Sequence, residues 1–420
     1  MLSRRQLLAL GSALALTPRR ARAATTEHRK FLFLFARGGW DPSYVFAPGL
    51  DPAYVDSDPD GRPAVASGIS YLDAPNRPAV RAFFEQYGGI SCVVNGVEVR
   101  SLTHERCRRL ILCGGGEGEA DDWAVTLAGE TAATTLPHLV LSGPAFAARF
   151  PEVVVRVGAN NQLAELLTGD YVVHGSPSMG ALAPERSTAA AAFARKRAEA
   201  WAAASGRGQP SAWGSALLRS YDQLDLAATI ADRLAVDAVG SNVLIPVPDL
   251  VQPALRCFAE GISRCAIVEH LGMFNLAWDT HSGNDMQASH FQTLFDDLLT
   301  IAANMESTPG TGGGSLLDET TVVVLSEMGR TPKLNAADGK DHWTFTSTML
   351  FGGGVRGGQV IGGFERGLVG RPVDLATGAL DDTGTALLPE HLGATLYALA
   401  GLDAPSLIAA APIDAAVDGA

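Results

Sequence analysis

The sequence predicts an α/β fold built on a mostly parallel central sheet. Two short runs, Lys30-Phe31-Leu32-Phe33-Leu34-Phe35-Ala36 and Thr321-Val322-Val323-Val324-Leu325, are apolar or β-branched throughout, as strands buried on both faces are. Each breaks abruptly at a polar turn holding glycine, and helical patterns separate the strand candidates. The 46 glycines suit a chain with many strand-to-helix turns.

The chain begins with a targeting pattern. Ser3-Arg4-Arg5-Gln6-Leu7-Leu8 opens a basic region, Leu7–Leu16 is an apolar run too short to span a membrane, and Ala21-Arg22-Ala23 is a small-x-small cleavage signal. The expected mature chain is residues 24–420, read as one domain. Paired arginines before leucines resemble a twin-arginine signal, with an ordinary secretory signal as the alternative. A twin-arginine signal implies passage through the twin-arginine translocase and a periplasmic or otherwise exported location. No later run suggests a membrane span. Removing residues 1–23 takes away five arginines and no acids, so the formal charge moves from −13 to −18. So acidic a chain argues against nucleic acid as a partner. An anionic substrate would then need a local positive centre. The five cysteines are scattered without CxxC spacing; Cys257 with Cys265 is a candidate disulfide, and buried free thiols are the alternative.

Taken in order, the first strand ends at Arg37-Gly38-Gly39-Trp40-Asp41, where the glycines aim Asp41 outward. Asp41 suits either a helix cap or a ligand. Residues 48–75 read as a surface loop, and Asn76–Tyr87 as a helix. Ile90–Val94 is the next buried strand and leads through Ser101-Leu102-Thr103-His104-Glu105 into a helix. Thr103 stands where that helix starts. A hydroxyl there is an N-cap or a nucleophile beside backbone amides that stabilise an oxyanion, and Ser101 is the other candidate. Leu139–Leu141 and Val153–Val155 are further strands. Residues 187–204 and 212–238 read as a helical hairpin forming an insertion or cap, within about 185–240.

Cys265–Leu271 is a strand leading to Trp278-Asp279-Thr280-His281. Asp279 and His281 are two apart, so in an extended segment both project to one side, as a metal half-site or as a hydrogen-bonded pair. A helix over Met286–Met305 carries His290, read as a helix-face residue. The strand at Thr321–Leu325 ends at Ser326-Glu327-Met328-Gly329-Arg330, followed by Asp341-His342-Trp343. Carboxylate and imidazole at the carboxyl edge of a parallel sheet are suitable divalent-metal ligands. The alternative is that Glu327 pairs with Arg330 and His342 is a polar loop residue. Thr348–Phe351 is a strand, residues 356–363 a turn or hairpin, and Pro389–Leu399 the last helix, with His391 at the surface.

The order of these strand ends resembles the alkaline phosphatase and sulfatase superfamily: an early Asp after strand one, a Ser/Thr nucleophile at a helix start, a later Asp/His cluster, a strand ending in Ser-Asp-His-Gly, and a final His. More closely, Arg37-Gly38-Gly39-Trp40-Asp41, Thr103-His104, Trp278-Asp279-Thr280-His281, Ser326-Glu327-Met328-Gly329-Arg330-Thr331-Pro332 and Asp341-His342-Trp343 resemble the domain of unknown function 1501 family. The resemblance implies an alkaline-phosphatase-like three-layer sandwich and hydrolysis of a small anionic phosphate or sulfate ester. It implies one metal at Asp279, His281 and His342, with Asp341 alongside, and a second at Asp41, Glu327 and the Thr103 hydroxyl. Arg330 or Arg37 would clamp the remaining oxygens. The chain departs from the superfamily in two places. Glu327-Met328 replaces the late Asp-His, and Gly283 stands where the wider Asp-x-x-x-His spacing would put an imidazole. Zinc, calcium, magnesium or manganese therefore all stay open, as does a single metal or none. The absence of Cys-x-Pro-x-Arg excludes formylglycine chemistry. A non-catalytic exported binding protein that keeps the fold is the competing function.

Overall fold

A computed structural model describes residues 26–115, 120–131, 134–157, 184–203, 210–229, 245–404 and 408–419. The expected signal, residues 1–23, lies outside them.

The described strands are β1 (Lys30–Ala36), β2 (Arg62–Ala66), β3 (Ile69–Asp73), β4 (Ser91–Glu98), β5 (His138–Val140), β6 (Val154–Arg156), β7 (Cys265–His270), β8 (Thr320–Ser326), β9 (Gly329–Arg330), β10 (His342–Trp343), β11 (Phe345–Gly352), β12 (Gln359–Gly362), β13 (Phe364–Glu365) and β14 (Val369–Gly370). Eight form one sheet in the order β12-β4-β11-β8-β1-β7-β5-β6. Every pairing in it is parallel except those of β11, which runs against both β4 and β8. Strands β1, β4, β7 and β8 therefore end along the same edge.

The described helices are α1 (Pro78–Tyr87), α2 (His104–Cys113), α3 (Trp123–Gly129), α4 (Pro184–Ala203), α5 (Pro210–Ala228), α6 (Val247–Ala259), α7 (Met286–Ser307), α8 (Leu316–Glu319) and α9 (Pro389–Ala400). Side-chain alternation along β1 explains the layering. Leu32, Leu34 and Ala36 pack into a core shared with α1, α6 and α7. Phe31, Phe33 and Phe35 pack on the other face with α2, α3 and α9. The chain is thus an α/β fold with helices on both faces of a mixed sheet. Helix α2 ends at Gly114 in the left-handed region, φ 71°, where a Cβ is costly. Helix α9 opens on Pro389, whose missing amide costs nothing at a first turn.

Three expectations are corrected, and the open alternative for Cys257 and Cys265 is decided in favour of free thiols. The stretch 48–75 contains the hairpin β2–β3, closed by Ser67-Gly68 with both φ values positive, a two-residue turn that matches strand twist. Within 356–363, β12 adds a parallel edge strand to β4. Cys257 and Cys265 are free and buried. His391 is buried, its Nδ1 accepting from the Leu388 amide. Helices α4 and α5 fall on the expected hairpin; its residues 204 and 230–238 lie outside the described residues.

A candidate metal centre at the carboxyl edge of the sheet

Four strand ends meet around Asp279. Strand β7 runs out through residues 271–278 to Asp279 and His281, and the adjacent β8 ends at Ser326 and passes directly into Glu327. Strand β4 leads to α2, whose first residue is His104. The small ribbon β9–β10 pairs His342 with Arg330. The turn after β1 fits beneath, with Gly38 at φ 122°; a Cβ there would stand 2.6 Å from the Asp279 amide nitrogen.

His104, Asp279 and His342 bring one ligand atom each to within 4.8 Å of one another. His104 Nε2 is 3.3 Å from Asp279 Oδ2, and His342 Nε2 is 3.4 Å from Asp279 Oδ1. His281 joins them, its Nε2 3.2 Å from Asp279 Oδ1 and 2.9 Å from His342 Nε2.

The second nitrogen of each ring is tied down. His104 Nδ1 is 3.0 Å from Glu327 Oε1, His281 Nδ1 is 2.9 Å from Asp341 Oδ1, and His342 Nδ1 is 2.6 Å from the Leu102 carbonyl. Carbonyl and carboxylate oxygens only accept, so these Nδ1 atoms carry protons. In neutral rings, His281 Nε2 and His342 Nε2 then present lone pairs to each other and to a carboxylate oxygen. Three acceptors facing one point repel unless a cation or a shared proton lies among them.

Without a cation, His104 is the ring that holds the extra proton. Burial pushes the His342 pKa down despite the Leu102 carbonyl, and Arg330, His104 and His281 push it the same way. Donation to Asp279 and then to Glu327 pushes His104 up to about 9. Burial works against charge on Asp279, yet His104 and Arg330 hold its carboxyl well below the usual range. The hydrogen bond from His281 lowers Asp341.

Asp279, His281 and His342 are brought together as expected, with Asp341 behind His281. Glu327 is fully buried behind His104 and also accepts from the Gly38 amide at 2.9 Å and 3.0 Å. Its place is to orient a ring. Asp41 is not brought to the cluster. It caps the turn at Ser43, accepts 2.9 Å from Asn284, and forms a fully buried ion pair, 2.7 Å, with Lys340. Two donors on each oxygen leave no room for a cation.

Arg330 also differs from expectation. It is fully buried and donates to the carbonyls of Gly38, Gly39, Trp278 and Lys340, and at 2.6 Å to Asp279 Oδ1. It positions Asp279 and has no face for substrate. Thr103 is exposed at the start of α2, in extended conformation, and its side chain makes no capping bond. The motifs single out Thr103 at this helix start and not the imidazole of His104 beside it. Its signal was an imidazole opening a helix right after a buried strand.

Residues 254–412 match the family model described as a protein of unknown function, DUF1501. The family resemblance drawn from the motifs is thus shown over that stretch, which holds Asp279, His281, Glu327, Arg330, Asp341 and His342; Asp41, Thr103 and His104 lie outside it. No curated protein matches the chain. Among solved structures, two of Ps i-CgsB overlap it, one free and one in complex with k-i-k-neocarrahexaose. Their TM-scores are 0.42 and 0.40 at 9% identity, covering 92% of this chain and 75% of theirs. BT4656 in complex with its substrate D-glucosamine-2-N,6-O-disulfate overlaps at TM-score 0.34 and 8% identity, covering 92% and 79%. Overlaps this loose carry no argument about the chain.

Proposed function

We propose that His104, His281, His342 and Asp279 hold one divalent metal ion, and that the chain is a metal-dependent hydrolase of phosphate or sulfate esters. The observation that carries the reading is the meeting of two imidazole lone pairs and a carboxylate oxygen at one point, with every Nδ1 already committed. Ligand atoms around a cation with bonds of about 2.0–2.1 Å stand roughly 3.3 Å apart in a tetrahedron. The 3.2 Å and 3.4 Å separations of His281 and His342 from Asp279 Oδ1 fit this; His104 stands 3.3 Å from the other oxygen, Oδ2, and the 2.9 Å His281–His342 approach needs a small opening. Three nitrogens to one carboxylate favour zinc or a similar first-row ion over calcium or magnesium. Such an ion would act as a Lewis acid toward a phosphoryl or sulfuryl oxygen.

The remaining work falls to the chain. Glu327, Asp341 and the Leu102 carbonyl fix the ring orientations. Thr103 holds its hydroxyl at the exposed start of α2, one residue before His104, as the nucleophile of this reading; helix amides there favour the transferred group's negative charge. With Arg330 enclosed, Arg37, half-exposed beside the turn after β1 and 3.7 Å from Glu269, is the second of the two expected clamps and would have to leave that carboxylate to meet an oxyanion.

Thr103→Ala separates this reading from a non-catalytic binder. Hydrolysis of aryl phosphate and aryl sulfate should fall by at least about a hundredfold, with metal content and folding unchanged. Full retention of turnover would move the nucleophile elsewhere. No turnover by the wild type across both ester classes would favour the binder. The amino-terminal arginine pattern supports export of the folded chain. Recovery from a periplasmic fraction of a chain starting at Ala24 is the matching check. No described helix is long and apolar enough to cross a membrane.

A further inference from the structure

A cleft of about 520 Å³, within the usual range for small-molecule sites, opens beside the metal centre. Its wall includes Tyr54, Pro332, Leu334, Asn335, Asp341 and Arg366. Two of these touch a proposed ligand. Asp341 holds His281 Nδ1, and Asn335 donates to the His281 carbonyl at 3.0 Å and to Asp341 at 3.3 Å.

The cleft is a built structure. The Asp56 amide donates to the Pro332 carbonyl, the Leu334 amide to Asp56 Oδ2, and Lys333 Nζ to the Pro52 carbonyl and Asp56 Oδ1. Below, Val55 and Leu368 form a small buried cluster against which Trp343 packs, and Trp343 Nε1 donates to the Leu368 carbonyl. The loops that carry Tyr54 and Arg366 are thereby registered against the residue next to His342.

Lys333 is neutralised by Asp56. The Arg366 guanidinium carbon lies over the Tyr54 ring, 4.8 Å from its centroid, and no carboxylate among the described residues forms an ion pair with it. A guanidinium held over an aromatic face by cation–π attraction keeps N–H donors for a planar or tetrahedral oxyanion. The neighbouring proline and leucine offer apolar surface to a ring.

Resting on the hydrolase reading, we infer that this cleft receives the alcohol part of the ester. That part is a ring bearing a second anionic group, which Arg366 binds. The substrate is then an ester with two separated negative centres, one at the metal and one at the guanidinium.

The test is calorimetric binding of 4-hydroxybenzoate and of its uncharged counterpart 4-hydroxybenzamide to the full chain as purified. Wild type should bind the anion at least about tenfold tighter, the worth of one charge-assisted contact. Arg366→Ala should bring the two affinities within about twofold of each other. Tyr54→Ala should weaken both probes and shrink the preference, a second route to the answer. Equal or undetectable binding in wild type, or a preference that survives Arg366→Ala, overturns the inference; in the latter case the carboxylate sits on the metal. The two readings fail differently. A chain that prefers the anion but never cleaves 4-carboxyphenyl phosphate or sulfate refutes hydrolysis alone, and one that cleaves both esters without the preference refutes the cleft alone.

Discussion

Asp41 and Lys340 form a fully buried ion pair, with Ser43 and Asn284 completing the carboxylate's hydrogen bonds. Removing the charge from one member leaves the other buried and uncompensated, at a cost of about 3–5 kcal/mol. Asp41→Asn should therefore lower unfolding free energy by that order while metal content stays at the wild-type level; intact stability with lower metal content would return Asp41 to the ligand set. Motif order alone made Asp41 look like a ligand, because an Asp after a glycine turn reads the same whether it faces a cation or a lysine. Nothing near it in sequence announced Lys340. By contrast, Asp279, His281 and His342 were legible from residue type and strand-end position. His104 was hidden by the more familiar role of a hydroxyl at a helix start. Arg330 was misread for a related reason, since a buried guanidinium and a substrate clamp have the same sequence signature.

The turn joining β1 to Trp40 connects strand and site. At Gly38 the left-handed backbone and the 2.6 Å space to the Asp279 amide exclude a side chain. Gly38→Ala should destabilise the fold by about 2 kcal/mol or more and also weaken metal binding, because residues 278–279 must move away from β1. A variant that loses stability yet binds metal as before would uncouple the turn from the site; chelator competition beside denaturant unfolding makes the distinction. The strands β1, β7 and β8 were readable because burial on both faces leaves an unbroken apolar run. Strand β11 was readable as a strand, but its antiparallel direction was not, since side-chain period carries no sense of direction. The hairpin β2–β3 was lost to Pro63 and exposed Val65, which weaken the apolar alternation. Helix α6 carries Pro253 inside it and so breaks the usual helix signal.

Across the whole molecule, the two cores lie on opposite faces of one sheet, and β5 contributes His138 to its buried interior. Burial depresses the His138 pKa to about 4 from the ordinary 6.5. The folded state therefore keeps the ring neutral while the unfolded chain takes up a proton below 6.5. This stability contribution is complete above pH 6.5 and is lost as the pH falls toward 4, amounting to about 2 kcal/mol between pH 7 and 5. His138→Leu should flatten that part of the stability–pH curve; an unchanged slope would assign the acid sensitivity to other groups. The overall architecture followed from periodicity, while the convergence of four distant strand ends on Asp279 could be seen only once they were placed in space. That convergence is best tested by elemental analysis of the protein purified without added chelator, beside His104→Ala. The account predicts close to one divalent ion per wild-type chain and a loss of most of it in the variant, with both chains folded. Metal-free wild type that cannot be loaded, or full occupancy in His104→Ala, would contradict it.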